Sequence, residues 1–288
     1  MHDTLVALVA SAPATLAACA VFRFLDGPLY EPVRGGTPRG VGVVPALIYA
    51  YLAPLTYGVP VVTHAVLGFV DDALGRTHTR FGVEVGHLAR GTAMLLAFGW
   101  CWWRFHPITG LVTGFLPQPA NIVDMQPRAF TFAALTATVA TIPWWNHTLV
   151  SVAWAALVPY VLLDLKGRTM LGDAGNASVA TALLLACTRG DPIGAVAFLT
   201  SFTLAGAFYR FKVEPRLREY MEDRLGIEDP TFMDAVWDVL TGGALMDLIK
   251  VKTFGRTEVP ECSRLARLLG YRRLVLIGRS TVGERVWR

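Results

Sequence analysis

Charge is scarce in this chain. Charged residues make up 17% of its 288 residues, against roughly a quarter in ordinary soluble domains. Hydrophobic residues supply 53%, and the mean hydropathy is +0.45. This excludes a disordered chain, which needs low hydrophobicity and high charge, and argues against an ordinary water-soluble enzyme. Cysteines are also few. Cys19, Cys101, Cys187 and Cys262 lie far apart with no paired spacing, so they indicate neither a zinc site nor a disulfide framework. The net charge of +4 is too small and too dispersed to suggest nucleic acid as a partner. The start, Met1-His2-Asp3, lacks the basic region of a signal peptide. The apolar run that follows reads as a retained first span.

The charge that exists is unevenly placed. Residues 1–209 hold 11 Lys/Arg and 10 Asp/Glu, whereas 210–288 hold 15 and 12. The first part is membrane-like and the last part soluble-like, which divides the chain into a transmembrane domain, 1–212, and a cytoplasmic or membrane-surface tail, 213–288. Stretches free of Asp, Glu, Lys and Arg run over 4–22, 41–70, 91–103, 105–123, 129–163, 174–188 and 192–209. A spanning helix needs about 20 apolar residues. The 41–70 run is too long for one helix and is broken by Pro54, Gly58 and Pro60. The 129–163 run is also too long, and Pro143-Trp144-Trp145-Asn146-His147 reads as an interfacial hairpin. The 105–123 run, rich in Gly and Pro, predicts a short or broken helix. The expected fold is an all-α polytopic membrane bundle of about nine spans. With that count, one set of loops carries Arg34, Arg39, Arg76, Arg80, Arg90, Arg128, Lys166 and Arg168, and the other only Arg104 and Arg189. The positive-inside rule puts the first set and the tail in the cytoplasm and the N-terminus outside.

Acidic residues are few before residue 210. Asp71, Asp72, Asp124, Asp164 and Asp173 all fall in the loops assigned to the cytoplasm, each just beyond a span. Singly, such residues solvate loops. Together, carboxylates converging on one membrane face repel unless a cation neutralises them. Hard oxygen ligands suit Mg²⁺ or Mn²⁺, and Mg²⁺ commonly takes one or two carboxylates plus substrate phosphates. The loop Arg34-Gly35-Gly36-Thr37-Pro38-Arg39-Gly40 lies on the same side. Its glycines permit close backbone approach and its arginines suit phosphate; a plain turn with positive-inside arginines is the alternative.

Four blocks carry a family resemblance. Gly68-Phe69-Val70-Asp71-Asp72-Ala73-Leu74-Gly75 resembles the paired-aspartate loop of the polyprenyl-phosphate N-acetylhexosamine-1-phosphate transferase superfamily, which includes the phospho-N-acetylmuramoyl-pentapeptide transferases. Asn121-Ile122-Val123-Asp124 is similar to its asparagine–aspartate loop. Leu171-Gly172-Asp173-Ala174-Gly175 is similar to its Gly-Asp-x-Gly block, and Gly36-Thr37-Pro38 to its early cytoplasmic loop. The resemblance covers about residues 20–210. It implies transfer of a sugar-1-phosphate from a UDP-sugar to a polyprenyl phosphate, with Mg²⁺ and release of UMP. It also implies that Asp71, Asp72, Asp124 and Asp173 are catalytic and that Asp173 and Asp72 hold the metal. Asn121 and Asp124 fall on the nucleotide side, and Arg34, Thr37 and Arg39 on the phosphate side. The lipid bilayer is the expected setting, with a homodimer left open. Two departures stand out. Pro127-Arg128 replaces a further Asp, and the late histidine-rich loop of the peptidoglycan branch is missing.

The remaining features read as structure. Trp100, Trp102 and Trp103 suit an outer interfacial belt. His64 in an apolar run suits packing. His78 and His87 suit solvation, and Asp164 and Lys166 suit a helix end. Leu265, Leu268 and Leu269 interleave with Arg264, Arg267, Arg272 and Arg273. They form either a basic amphipathic helix on the inner surface or the face of a soluble subdomain. The rival functional reading is a non-catalytic multipass protein, either a divalent-cation transporter or an inactive relative.

Overall fold

A computed structural model describes residues 2–25, 27, 29–31, 37–74, 79–80, 83–254 and 256–278. Helices dominate. They are α1 (His2–Leu25), α2 (Val43–Leu52), α3 (Leu55–Leu74), α4 (Val85–Arg104), α5 (Pro107–Phe115), α6 (Pro117–Asp124), α7 (Ala129–Ala140), α8 (His147–Asp164), α9 (Gly172–Thr188) and α10 (Pro192–Phe208). A π-helical turn, Tyr209–Val213, extends α10, and the tail forms α11 (Arg216–Asp223), α12 (Phe232–Thr241), α13 (Ala244–Thr253), α14 (Arg264–Leu268) and α15 (Tyr271–Val275). The all-α class holds, with one addition. Two antiparallel ribbons of two-residue strands precede α2 and α4: β1 (Tyr30–Glu31) with β2 (Thr37–Pro38), and β3 (Thr79–Arg80) with β4 (Val83–Glu84).

The breaks have local causes. Ala53, before Pro54, is extended (φ −85°, ψ 152°), which ends α2. Pro60, expected to help break the run, instead lies inside α3. The 105–123 run is two short helices, each with Pro at its first turn; His106 caps α5 by accepting the Ile108 N–H at 3.1 Å. Between α7 and α8 the chain makes a 3₁₀ turn over Ile142–Trp144, and Asn146 caps α8 through the Leu149 N–H at 3.3 Å. Asp191 caps α10 through the Gly194 N–H at 2.8 Å.

Helix α9 is the axis of the bundle. All of its residues are buried, and it packs against α2, α3, α6, α7, α8 and α10. The outer helices are the reverse. On α1 only Ala7, Ser11, Thr15 and Phe22 are buried. The first three are small, sit four residues apart and let α1 lie close to α8, where Ser11 donates to the Ala156 carbonyl. The opposite face presents Leu5, Val9, Leu16 and Val21 outward, as α4 presents Leu95 and Leu96, and α10 Ile193 and Val196. An apolar outer surface of this extent suits lipid rather than water. Among the described residues, three helices are long and apolar enough to cross a membrane: His2–Leu25, His147–Asp164 and Pro192–Val213 with its π turn.

The tail is held by buried ion pairs. Helix α12 packs against α6, α10 and α15. Asp238 receives Arg273 at 2.7 Å and lies 3.7 Å from Arg210 of the π turn, while Asp234 receives Arg272 at 2.7 Å. This corrects the basic-stripe expectation for two of its arginines. Arg272 and Arg273 face inward, because α12 supplies a carboxylate for each. Leu265, Leu268 and Leu269 remain exposed.

Candidate active site

Helix ends converge where the acidic blocks lie. Asp71 and Asp72 occupy the last turn of α3, Asp124 ends α6, and Asp173 is in the first turn of α9. They are not exposed loop carboxylates: Asp71, Asp72, Asp124 and Asp173 are 8%, 0%, 3% and 4% exposed. Their charge is therefore met inside the protein.

Two arginines meet that of Asp71, Asp72 and Asp173. Arg39, just before α2, places Nε 2.9 Å from Asp72 Oδ1 and Nη2 2.7 Å from Asp173 Oδ2. Arg90, in the second turn of α4, places Nη1 2.9 Å from Asp173 Oδ1 and Nη2 3.1 Å from Asp71 Oδ2. Asp173 thus sits between two guanidiniums, each shared with another aspartate. Asp71 and Asp173 are also within hydrogen-bonding reach of each other. Asn121, with its amide oriented to satisfy its neighbours, accepts from Arg90 Nη1 at 2.9 Å and donates to Asp173 Oδ1 at 3.1 Å.

Two of the four aspartates are committed to the backbone. Asp72 accepts the N–H of Asp173 at 3.0 Å and of Ala174 at 2.8 Å. Asp124 accepts the N–H of Leu171 at 3.3 Å and of Gly172 at 3.1 Å, and the Tyr160 hydroxyl at 3.3 Å. Helix α9 has no cap of its own. Carboxylates from α3 and α6 satisfy its first N–H groups and complement the positive end of its dipole. Asp71 differs: its Oδ2 is buried and receives no aligned hydrogen bond.

The glycines of the blocks make this approach possible. Gly172 has φ +72°, and a Cβ there would lie 2.7 Å from Asp72 Oδ2. A Cβ on Gly68 would lie 2.6 Å from the Asp173 carbonyl oxygen, so only glycine lets α3 reach the start of α9.

Other expected residues fall elsewhere. Arg34 and His78 lie outside the described residues. Thr37 is buried in β2, whose Pro38 carbonyl accepts the Met170 N–H at 3.0 Å and ties the ribbon to the approach to α9. Asp164 has the helix-end role expected of it, accepting the Thr131 hydroxyl at 2.9 Å and the Arg128 N–H at 3.1 Å at the start of α7. Lys166 is exposed. Pro127-Arg128 leads to a different cluster: Glu214 accepts from Tyr209 at 2.8 Å and Gln126 at 3.1 Å, with Arg128 at 3.4 Å. Burial pushes Glu214 up, but those hydrogen bonds and Arg128 outweigh it and hold the carboxyl below its usual range. His64 is buried in α3, and among the described residues neither ring nitrogen has a hydrogen-bond partner. Trp102 and Trp103 face outward, whereas Trp100 turns inward and donates to the Thr56 carbonyl at 3.0 Å.

Arg90 is the residue the sequence reading missed, because it counted there only as a basic loop charge. A local signal was present. Gly86 lies one helical turn earlier on α4, directly against the Asp71 carboxylate, so position 90 falls on the face that α4 turns to the aspartates.

Hard carboxylate oxygens beside two guanidiniums can bind a diphosphate and a divalent cation. Among the described residues, no three His, Cys, Asp or Glu side chains form a ready-made metal cage. A cation held by one or two carboxylates plus phosphate oxygens remains compatible with the donor set. Comparison with protein-family models and with curated proteins finds no match for the chain.

Proposed function

We propose that this chain is a membrane-embedded transferase of about nine spans, with its N-terminus outside and residues 213–288 on the cytoplasmic side of a cell membrane. It moves a sugar-1-phosphate, an N-acetylhexosamine phosphate, from a UDP-sugar to a polyprenyl phosphate. The observation that carries the reading is the meeting of Asp71, Asp72 and Asp173 with Arg39 and Arg90, beside Asn121 and Asp124, at one end of the bundle. The basic residues concentrated on that side by the positive-inside pattern support a cytoplasmic site, where UDP-sugars are found.

In this reading an oxygen of the lipid phosphate attacks the sugar-bearing phosphorus. A new P–O bond forms, the bridging P–O bond of the diphosphate breaks, and UMP leaves with the electron pair. Phosphoryl transfer is chiefly positioning and charge stabilisation. Arg39 and Arg90 hold diphosphate oxygens through their planar forks. Asp71, which like Asp173 is not committed to backbone groups, takes a proton from a protonated acceptor phosphate or shares the cation. Asp72 and Asp124 fix the first turn of α9 and so place Asp173. Asn121 orients Asp173 and Arg90 on the nucleotide side. Asp173, with Asp72 or Asp71, would hold Mg²⁺ or Mn²⁺, which supplies neutralisation of the departing phosphate.

The test is UMP release by the purified chain with polyprenyl phosphate, Mg²⁺ and a panel of UDP-sugars. Release that requires both lipid and one UDP-sugar supports the reading. No release with any donor, by protein that is folded, overturns it.

A further inference from the structure

We infer that Arg39 and Arg90 compete with a divalent cation for the aspartates and are released to the donor's diphosphate, so that cation and diphosphate bind jointly. This rests on the reading above and adds an order of events to it.

Both oxygens of Asp173 face a guanidinium, Oδ1 with Arg90 at 2.9 Å and Oδ2 with Arg39 at 2.7 Å. A Mg²⁺ ligand oxygen must sit about 2.0–2.1 Å from the ion. A dication at either oxygen crowds a like charge that already covers it, so cation entry must break a guanidinium–carboxylate pair. The released guanidinium then has little water to turn to, since the Arg90 and Arg39 side chains are 14% and 24% exposed. Leaving such a charge unpaired is costly. A diphosphate removes that cost, because its oxygens accept the same planar fork. Each ligand therefore lowers the penalty of the other, and by linkage the gain in affinity is mutual.

The geometry also says which pairs exchange. Asp72 is fixed by two backbone N–H groups and cannot turn without uncapping α9. Asp71 Oδ2 is buried and faces Arg90 Nη2 at 3.1 Å without an aligned hydrogen bond, so a cation that claims it displaces Arg90 from its weaker contact. The exchange therefore runs through Arg90, which spans Asp71 and Asp173.

Mn²⁺ is the probe, followed by electron paramagnetic resonance of free ion over purified full-length protein in detergent. UDP serves as the diphosphate, with protein-free Mn²⁺–UDP blanks. Wild-type protein should bind Mn²⁺ alone weakly, and saturating UDP should lower the half-saturating free Mn²⁺ at least tenfold. Arg90→Gln should tighten Mn²⁺ alone at least tenfold and lose the gain from UDP. Arg90→Lys, which keeps the charge, should bind Mn²⁺ alone as weakly as wild type. If Arg90→Gln unfolds, Arg39→Gln asks the same question of the second guanidinium. Folded glutamine variants that bind Mn²⁺ no more tightly than wild type overturn the inference. UMP release without this coupling overturns it alone; coupling without UMP release for any UDP-sugar overturns only the catalytic reading.

Discussion

Asp72, in the last turn of α3, caps α9 by accepting the backbone N–H of Asp173 at 3.0 Å, across 101 positions of sequence. The second of the paired aspartates is thus bound to the Gly-Asp block. A carboxylate that caps a helix and pairs with Arg39 has a structural task that its neighbour Asp71 lacks.

Asp72 and Asp173 should therefore respond differently to substitution. Asp72→Ala frees two buried N–H groups and a partner of Arg39, and should destabilise by about 3–5 kcal/mol, read as a fall in unfolding temperature. Asp173→Asn leaves Arg39 with Asp72 and Arg90 with Asp71, so it should fold. Its UMP release should drop by on the order of a thousandfold or more at every Mg²⁺ concentration. Near-normal turnover by Asp173→Asn would remove this carboxylate from the chemistry.

Arg39→Ala should raise the apparent KM for the UDP-sugar by tenfold or more, about 1.4 kcal/mol. Lysine at the same position should restore it only in part, because an ammonium cannot bridge two oxygens in a plane. Steady-state kinetics at saturating lipid would check this, and an unchanged KM in both variants would contradict phosphate binding.

The close approach of α3 to α9 predicts opposite outcomes for two glycine-to-alanine changes. Gly91 on α4 has open space around it, so alanine there should stabilise by up to about 1 kcal/mol. Gly68→Ala forces α3 away from α9 and should cost about 1–3 kcal/mol, with loss of activity. Thermal unfolding of both in the same detergent decides it; equal effects would mean the approach is not tight.

Sidedness is checked by single cysteines in a background without the native four. Arg168→Cys should be labelled by an impermeant reagent only in inverted vesicles, and His106→Cys only in intact cells. Labelling of residue 168 from outside would separate the site from cytoplasmic UDP-sugars.

The tail carries its own pH dependence. Burial, then the charge of Arg273, lowers Lys250 to about 7, and burial raises Asp247 to about 6. Among the described residues, Lys250 donates to the carbonyls of Arg273 and Leu276, at 3.3 Å each. From about pH 7 to about 10 the unfolded chain holds the lysine proton more tightly, so stability rises with pH. From about pH 4 to about 6 the folded chain holds the Asp247 proton more tightly, so stability falls as pH rises. Hydrogen exchange in α13 and α15 should thus show least protection at about pH 6–7. Lys250→Met should abolish the alkaline rise and stabilise neutral protein by about 1–4 kcal/mol; an unaltered profile would refute the assignment.

The helix bundle was largely legible in the sequence, because charge-free length and proline placement are local properties. The break at Pro54, the two-part helix over 107–124 and the turn before Asn146 follow from them. The ribbons pairing 30–31 with 37–38 and 79–80 with 83–84 were not legible, since two-residue strands leave no periodicity to read. Neither was the tail, where Arg272 and Arg273 look like a surface stripe until Asp234 and Asp238 meet them.

The candidate site divides in the same way. The sequence alone determined which carboxylates and glycines stand in ordered blocks and where the charge-free apolar runs lie between them. Only the tertiary structure decided that those carboxylates are buried, that Arg39 and Arg90 neutralise Asp71, Asp72 and Asp173, and that Asp72 and Asp124 are helix caps for α9. The physical reason is range. Helix length and composition act through neighbours in the chain, whereas an ion pair between residues 90 and 173 exists only because α3, α4 and α9 pack side by side.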